Sequence, residues 1–171
     1  KKESSLEALI ATCDTYEQKK LIFSLLDRFH YLKEDVVHLF LGQMVDYIMN
    51  SGFEKERIQL VACTYDNEAD SGQKILDMIK VPLFERGWRN IKTVNVVGKA
   101  IKTISEGKNQ IIFIDEFLGT GRSLRTRVEW LNKNANQPIE IKCCFMAGMK
   151  YAVETLKADS IDIFCPLQLE K

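Results

Sequence analysis

Two adjacent carboxylates, Asp115 and Glu116, directly follow the apolar run IIFI at 111–114. Across Phe117 and Leu118 they are followed by Gly119, Thr120, Gly121, Arg122 and Ser123. The two glycines let a turn take positive φ and aim successive backbone N–H groups at one point. The periodic positions Leu124, Val128 and Leu131 predict a helix after the turn, whose N-terminus adds partial positive charge at the same place. A turn of this kind suits one phosphate, with the Thr120 and Ser123 hydroxyls as further donors.

The acids suit a different group. They repel a pyrophosphate, accept hydrogen bonds from the vicinal hydroxyls of a ribose, and can share a Mg²⁺ ion. The constellation therefore asks for a ribose 5-phosphate. The commoner phosphate motifs are excluded: no Gly-Lys-Ser/Thr follows the turn, and Leu124 stands where the third glycine of a dinucleotide fingerprint belongs.

The elements that must position these residues read clearly. Over 4–51, apolar residues recur at helical spacing (Leu6, Leu9, Ile10; Leu21, Ile22, Leu25, Leu26, Phe29; Val36, Val37, Phe40, Leu41, Met44, Ile48), which predicts three helices ending at Ser51-Gly52. From Arg57 onward, short apolar runs at 58–64, 93–97, 111–114, 139–146 and 161–164 alternate with helical stretches at 71–79, 99–105, 121–133 and 150–157. Runs such as IQLVAC and IIFI are apolar at nearly every position, as in strands buried on both faces. The expectation is a three-layer, Rossmann-like α/β sandwich with a mainly parallel sheet of about five strands, preceded by N-terminal helices. The chain is expected to form a single domain over 1–171, with a helical part at 1–55 and the α/β core at 56–171. It begins without Met and stops soon after a strand-like run, as a piece of a longer protein would.

A hydrophobic strand, two acids, two mostly apolar residues and a Thr/Gly-rich turn ending in Thr or Ser make up the pattern of type I phosphoribosyltransferases, which IIFI-DE-FL-GTGRS resembles. The strand and helix order extends the resemblance over 58–165. It implies that Asp115 and Glu116 contact ribose hydroxyls, orient the sugar as catalytic residues and hold Mg²⁺, while Gly119, Thr120, Gly121, Arg122 and Ser123 wrap the 5-phosphate. Such an enzyme displaces pyrophosphate from C1 of an activated ribose 5-phosphate.

The family holds pyrophosphate in a second loop after the first core strand, whose place here is 64–72; Ser71 and Gly72 open a helix there and offer N–H donors. Asp66, Glu68 and Asp70 make that loop acidic, so pyrophosphate needs a bridging Mg²⁺ or does not bind there. The family's mobile flap is reduced to 98–110, and nothing over 57–171 supplies its base-selecting hood. These departures resemble the divergent phosphoribosyltransferase-like domains associated with bacterial conflict and defence systems. A non-catalytic nucleotide-sensing module in a larger defence or regulatory assembly is therefore the alternative to transfer, and a scaffold docking a protein partner through the N-terminal helices is the third reading.

Other candidates have plainer explanations. His30 and His38 suit packing, Arg125 and Arg127 a solvated helix face, and Trp88 the cover of a sheet edge. Lys99 and Lys102 reach a ligand only if their segment folds over the site. The chain carries 24 Lys plus Arg against 24 Asp plus Glu, so no general field favours nucleic acid or an anionic membrane. No apolar stretch is long enough for a membrane span, and Lys1-Lys2-Glu3-Ser4 does not begin a signal peptide. The five cysteines lack C-x-x-C spacing and fit reduced, small hydrophobes of a cytoplasmic protein.

Overall fold

The computed structural model describes residues 5–29, 31–64 and 71–170. The chain divides into two compact units, 1–34 and 35–171. The two units differ in where apolar residues are buried. In the first unit, α1 (Ser5–Ala11) and α2 (Tyr16–Asp27) have no buried residue. A capping box starts α2: Thr15 Oγ1 accepts the Gln18 N–H at 3.2 Å, and Gln18 Oε1 accepts the Thr15 N–H at 3.1 Å. By contrast, α3 (Glu34–Met49), which begins at the unit boundary, buries Leu41, Met44, Val45 and Ile48 and so belongs with the sheet.

The second unit continues with β1 (Ile58–Ala62), α4 (Ser71–Glu85), β2 (Lys92–Val94), α5 (Val97–Ser105), β3 (Gln110–Leu118), α6 (Arg122–Asn134), β4 (Glu140–Met149), α7 (Lys150–Ala158), β5 (Asp162–Phe164) and β6 (Leu167–Leu169). All strand pairs are parallel, in the order β2-β1-β3-β4-β5, with β6 also on β4. Among the described residues the sheet thus has six strands, but β5 and β6 are one interrupted strand. Lys142 pairs with Asp162 and Ala147 with Leu167, so the register is continuous. Pro166 lies in the gap, where a residue without an N–H cannot join the ladder.

Strand alternation divides the core between two layers of helices. Val61, Cys63, Ile111, Phe113, Cys143 and Phe145 pack with Val97, Ala100 and Ile104 of α5, Leu124 and Leu131 of α6, and Ala152, Val153 and Leu156 of α7. The opposite face carries α4, packed on β1 and β3, and α3. Cys144 Sγ lies 4.0 Å from the Met44 carbonyl, and the Tyr47 ring stacks on Phe164 at 5.0 Å. Tyr47 also donates to Asp162 at 2.9 Å. Burial pushes the Asp162 carboxyl up, but the hydrogen bonds from Lys142 and Tyr47 outweigh it and hold the group below its ordinary value.

One helix runs differently from expectation. The α4 helix passes through Pro82 to Glu85, tolerating one missing N–H, and closes on Gly87. There the Trp88 N–H reaches the Leu83 carbonyl at 2.9 Å and Gly87 takes φ +87°. Trp88 is thus part of a helix stop. All five cysteines are free thiols. Burial pushes the Cys143 and Cys144 thiols well above their ordinary value, as expected of small core hydrophobes. Among the described residues no helix is long and apolar enough to cross a membrane.

Candidate functional site

In the strand order, β1 lies between β2 and β3. The connection through α4 leaves β1 on one side, and the connection through α5 returns past it to β3. Open α/β sheets hold ligands at such a switch point, outside the carboxyl ends of the strands. Cys63 and Thr64 follow β1, Asp115 lies in the last part of β3, and the glycine turn follows Leu118.

A cavity of about 430 Å³ opens at this point, between Asp115 and the turn 119–121, with Ser123, Leu124 and Arg127 of α6 along one wall. Cys63, Phe117 and Phe145 contribute its apolar lining. The β3 strand extends past the expected end at Ile114 to Leu118, because Asp115, Phe117 and Leu118 pair with Phe145, Ala147 and Gly148 of β4. Gly148 permits this. A Cβ there would lie 2.9 Å from Leu118 Cβ and 3.2 Å from its carbonyl oxygen.

The acid pair is therefore on a strand, where alternation turns neighbours apart. Asp115 and Phe117 line the cavity; Glu116 is exposed and is not part of the wall. Asp115 is held by neighbours. Its Oδ1 accepts from the Ser71 hydroxyl at 3.2 Å and from the Glu116 N–H at 2.7 Å. Gly72 packs beneath it so closely that a Cβ would stand 3.2 Å from Asp115 Oδ1 and 3.3 Å from both the Cys63 nitrogen and the Ile114 oxygen. Ser71 and Gly72 are thus brought to the site, and here they position the carboxylate. The acidic residues Asp66, Glu68 and Asp70 lie outside the described residues.

Gly121 is the N-cap of α6, at φ +76°, a left-handed conformation that gives no side-chain cap. The Arg122 N–H is directed to Thr120 Oγ1 at 3.4 Å. Ser123 and Leu124, in the first turn, line the cavity at the partly positive end of α6, which has no side-chain cap. Gly119, Thr120, Gly121 and Ser123 all line the cavity; Arg122 is not part of its wall, and its side chain is exposed. One end of the cavity thus presents a carboxylate and the other the uncapped start of α6.

Arg127 is the lining residue that the pattern of charges did not single out. It lies one helical turn after Ser123 on the same face, and this spacing was the available signal. Its Nε is buried without a hydrogen-bond partner, as is Thr64 Oγ1 at the end of β1. Arg125 does lie outside the site, bound to Asp159 at 2.7 Å. Lys99 and Lys102 line a separate groove along β2 with Lys80 and Lys92. His38 is exposed, and His30 lies outside the described residues.

A family model described as PRTase-CE matches residues 13–171. No curated protein matches the chain. Among solved structures the fold is similar to a hypothetical protein from Neisseria gonorrhoeae with bound ppGpp, at 12% identity and a TM-score of 0.54, over 83% of this chain and 87% of that one. It is also similar to the xanthine-guanine-hypoxanthine phosphoribosyltransferase of Helicobacter pylori, at 12% identity and a TM-score of 0.50, over 83% and 86% of the two chains. A further similar structure is the HGPRT-ase of Leishmania tarentolae in complex with GMP, at 7% identity and a TM-score of 0.50, over 83% and 80%. At these identities the likeness is one of fold.

Proposed function

The chain belongs to the PRTase-CE family, and from that premise we propose that its cavity binds a ligand carrying a ribose 5-phosphate, either phosphoribosyl diphosphate or a nucleotide. The observation that carries this reading is the opposition of Asp115 to the uncapped first turn of α6 across one cavity. The 5-phosphate sits in the turn 119–123, against backbone N–H groups and the Thr120 and Ser123 hydroxyls. Asp115 accepts from the ribose hydroxyls. The Ser71 hydroxyl and the close-packed Gly72 fix the carboxylate for that task.

Phosphoribosyl transfer at this site breaks the bond between C1 and the pyrophosphate oxygen, the electron pair leaving with pyrophosphate. The acceptor nitrogen then forms its bond to C1 and gives its proton to solvent. Asp115 offsets the positive charge that develops on the ribosyl ring. One carboxylate suits a hard oxygen-seeking cation, so Asp115 would hold Mg²⁺, which would supply charge neutralisation for the leaving group. Among the described residues no group of three acidic, Cys or His side chains forms a cage of its own.

One observation favours a binding module that senses nucleotides within a larger regulatory or defence assembly. The connection between β2 and β3 is spent on α5 and a tight turn in which the Gly107 N–H meets the Ile104 carbonyl at 2.9 Å. Among the described residues no strand pair stands there to close over the cavity and exclude water from a reactive sugar cation.

Calorimetric titration separates these readings. Phosphoribosyl diphosphate with Mg²⁺, and GMP and AMP alone, should bind the wild-type chain, and Asp115→Ala should weaken binding on the order of ten-fold, the loss of charge-assisted hydrogen bonds. Glu116→Ala should weaken it much less. Failure of every ligand to bind at millimolar concentration would reduce the likeness to fold alone. Release of pyrophosphate with a base present would establish transfer over sensing.

A further inference from the structure

Arg127 stands between two cavities. The first is the ribose-phosphate cavity, which it lines with Ser123 and Leu124. The second, of about 210 Å³, is lined by Arg127 together with Trp130 of α6 and Val97 and Gly98 of the first turn of α5. Val96, the N-cap of α5, gives that helix no side-chain cap either.

A buried donor without a partner is uncommon in a folded protein and calls for an explanation. The Arg127 Nε is such a donor, on a side chain that is only partly accessible and whose neighbours in both walls, among the described residues, include no acid except Asp115. Its position, one turn along α6 from the anion cradle, places a fixed positive charge where the ligand continues beyond the phosphate held at 119–123. A guanidinium is the side chain suited to a phosphate in such a place, since its planar fork donates two parallel hydrogen bonds.

We propose that the site takes nucleotides with a 5′-diphosphate or longer chain: the α-phosphate in the turn 119–123, the β-phosphate on Arg127, and the outer cavity beside Trp130 and the α5 N-terminus accommodating what lies beyond. This rests on the ribose-phosphate reading and makes it more specific, because phosphoribosyl diphosphate and nucleoside monophosphates carry only one phosphate at that end. Arg127 is the residue that discriminates between the two classes.

The test compares GMP with GDP and AMP with ADP by calorimetry on the wild-type chain and on Arg127→Gln and Arg127→Lys. The diphosphates should bind the wild type on the order of ten-fold more tightly, the yield of one charge-assisted phosphate contact. Arg127→Gln should cut diphosphate affinity on the order of ten-fold more than monophosphate affinity, and Arg127→Lys should restore part of the difference. Retained monophosphate binding also shows that the variant is folded. A second readout uses Trp130, which becomes the sole indole in Trp88→Phe since the chain has two tryptophans. GDP should change its emission more than GMP does. Equal affinities for the two classes in the wild type, or an equal loss for both in Arg127→Gln, would overturn the proposal and leave the ribose-phosphate reading standing. No binding of any nucleotide would overturn both.

Discussion

Gly121→Val should lower the unfolding free energy by about 2–4 kcal/mol and abolish nucleotide binding together. Two costs add. The residue sits at φ +76°, a left-handed conformation that costs a side-chain-bearing residue about 1–2 kcal/mol and a β-branched one more. A Cβ would also stand 3.2 Å from Leu156 Cδ1 and 3.3 Å from Leu156 Cγ, in the packed layer between α6 and α7. Overpacking of this kind costs about 1–3 kcal/mol. Either the N-cap leaves its left-handed conformation, which swings the first-turn N–H groups away from the phosphate, or α7 gives way. Denaturant unfolding gives the first quantity and calorimetry the second. A variant that kept both stability and affinity would show that the turn is not the anion cradle.

Phe113→Ala should cost about 3–5 kcal/mol, the range for deleting a fully buried aromatic side chain. Phe113 is completely inaccessible, on the central strand of the sheet, with Val61 and Cys143 as its neighbours in β1 and β4. The melting temperature should fall by about 10 °C. Phe113 lies two residues before Asp115 on the same face of β3, so the loosened strand should also weaken ligand binding while leaving every cavity-lining side chain in place. A fall of only a degree or two would mean that the α5–α7 layer repacks freely, contrary to the close packing of Ile111, Phe113 and Phe145 there.

The strand and helix order was legible because both faces of the sheet are covered. Strands such as IQLVA then read as continuous apolar runs, and the helices between them keep their own period. What was not legible depends on contacts distant in sequence. The acids at 115 and 116 read as a turn because Asp and Glu are poor strand formers, yet pairing with β4 carries the ladder on to Leu118. That extension separates Asp115 from Glu116, which a reading of adjacent letters joins. The unit boundary at 34 followed from which apolar positions find a partner surface, and α3 has the same periodic pattern as the helices before it. β6 escaped notice because its three residues are stable only as the continuation of β5 past Pro166. Arg127 was read as solvated since arginines on helices mostly are; only its place over the cavity gives it another role.

The most direct test of the central claim is to titrate ribose 5-phosphate into the ¹⁵N-labelled chain and follow the backbone amides. If the ligand bridges Asp115 and the start of α6, the largest shifts should fall on the amides of Gly119, Thr120, Gly121, Ser123 and Leu124, with a second group at Glu116 and Phe117, and Asp115→Ala should remove both at the same ligand concentration. Shifts confined to the lysine-lined groove along β2, around Lys92 and Lys102, with the amides at 119–124 unmoved, would contradict it.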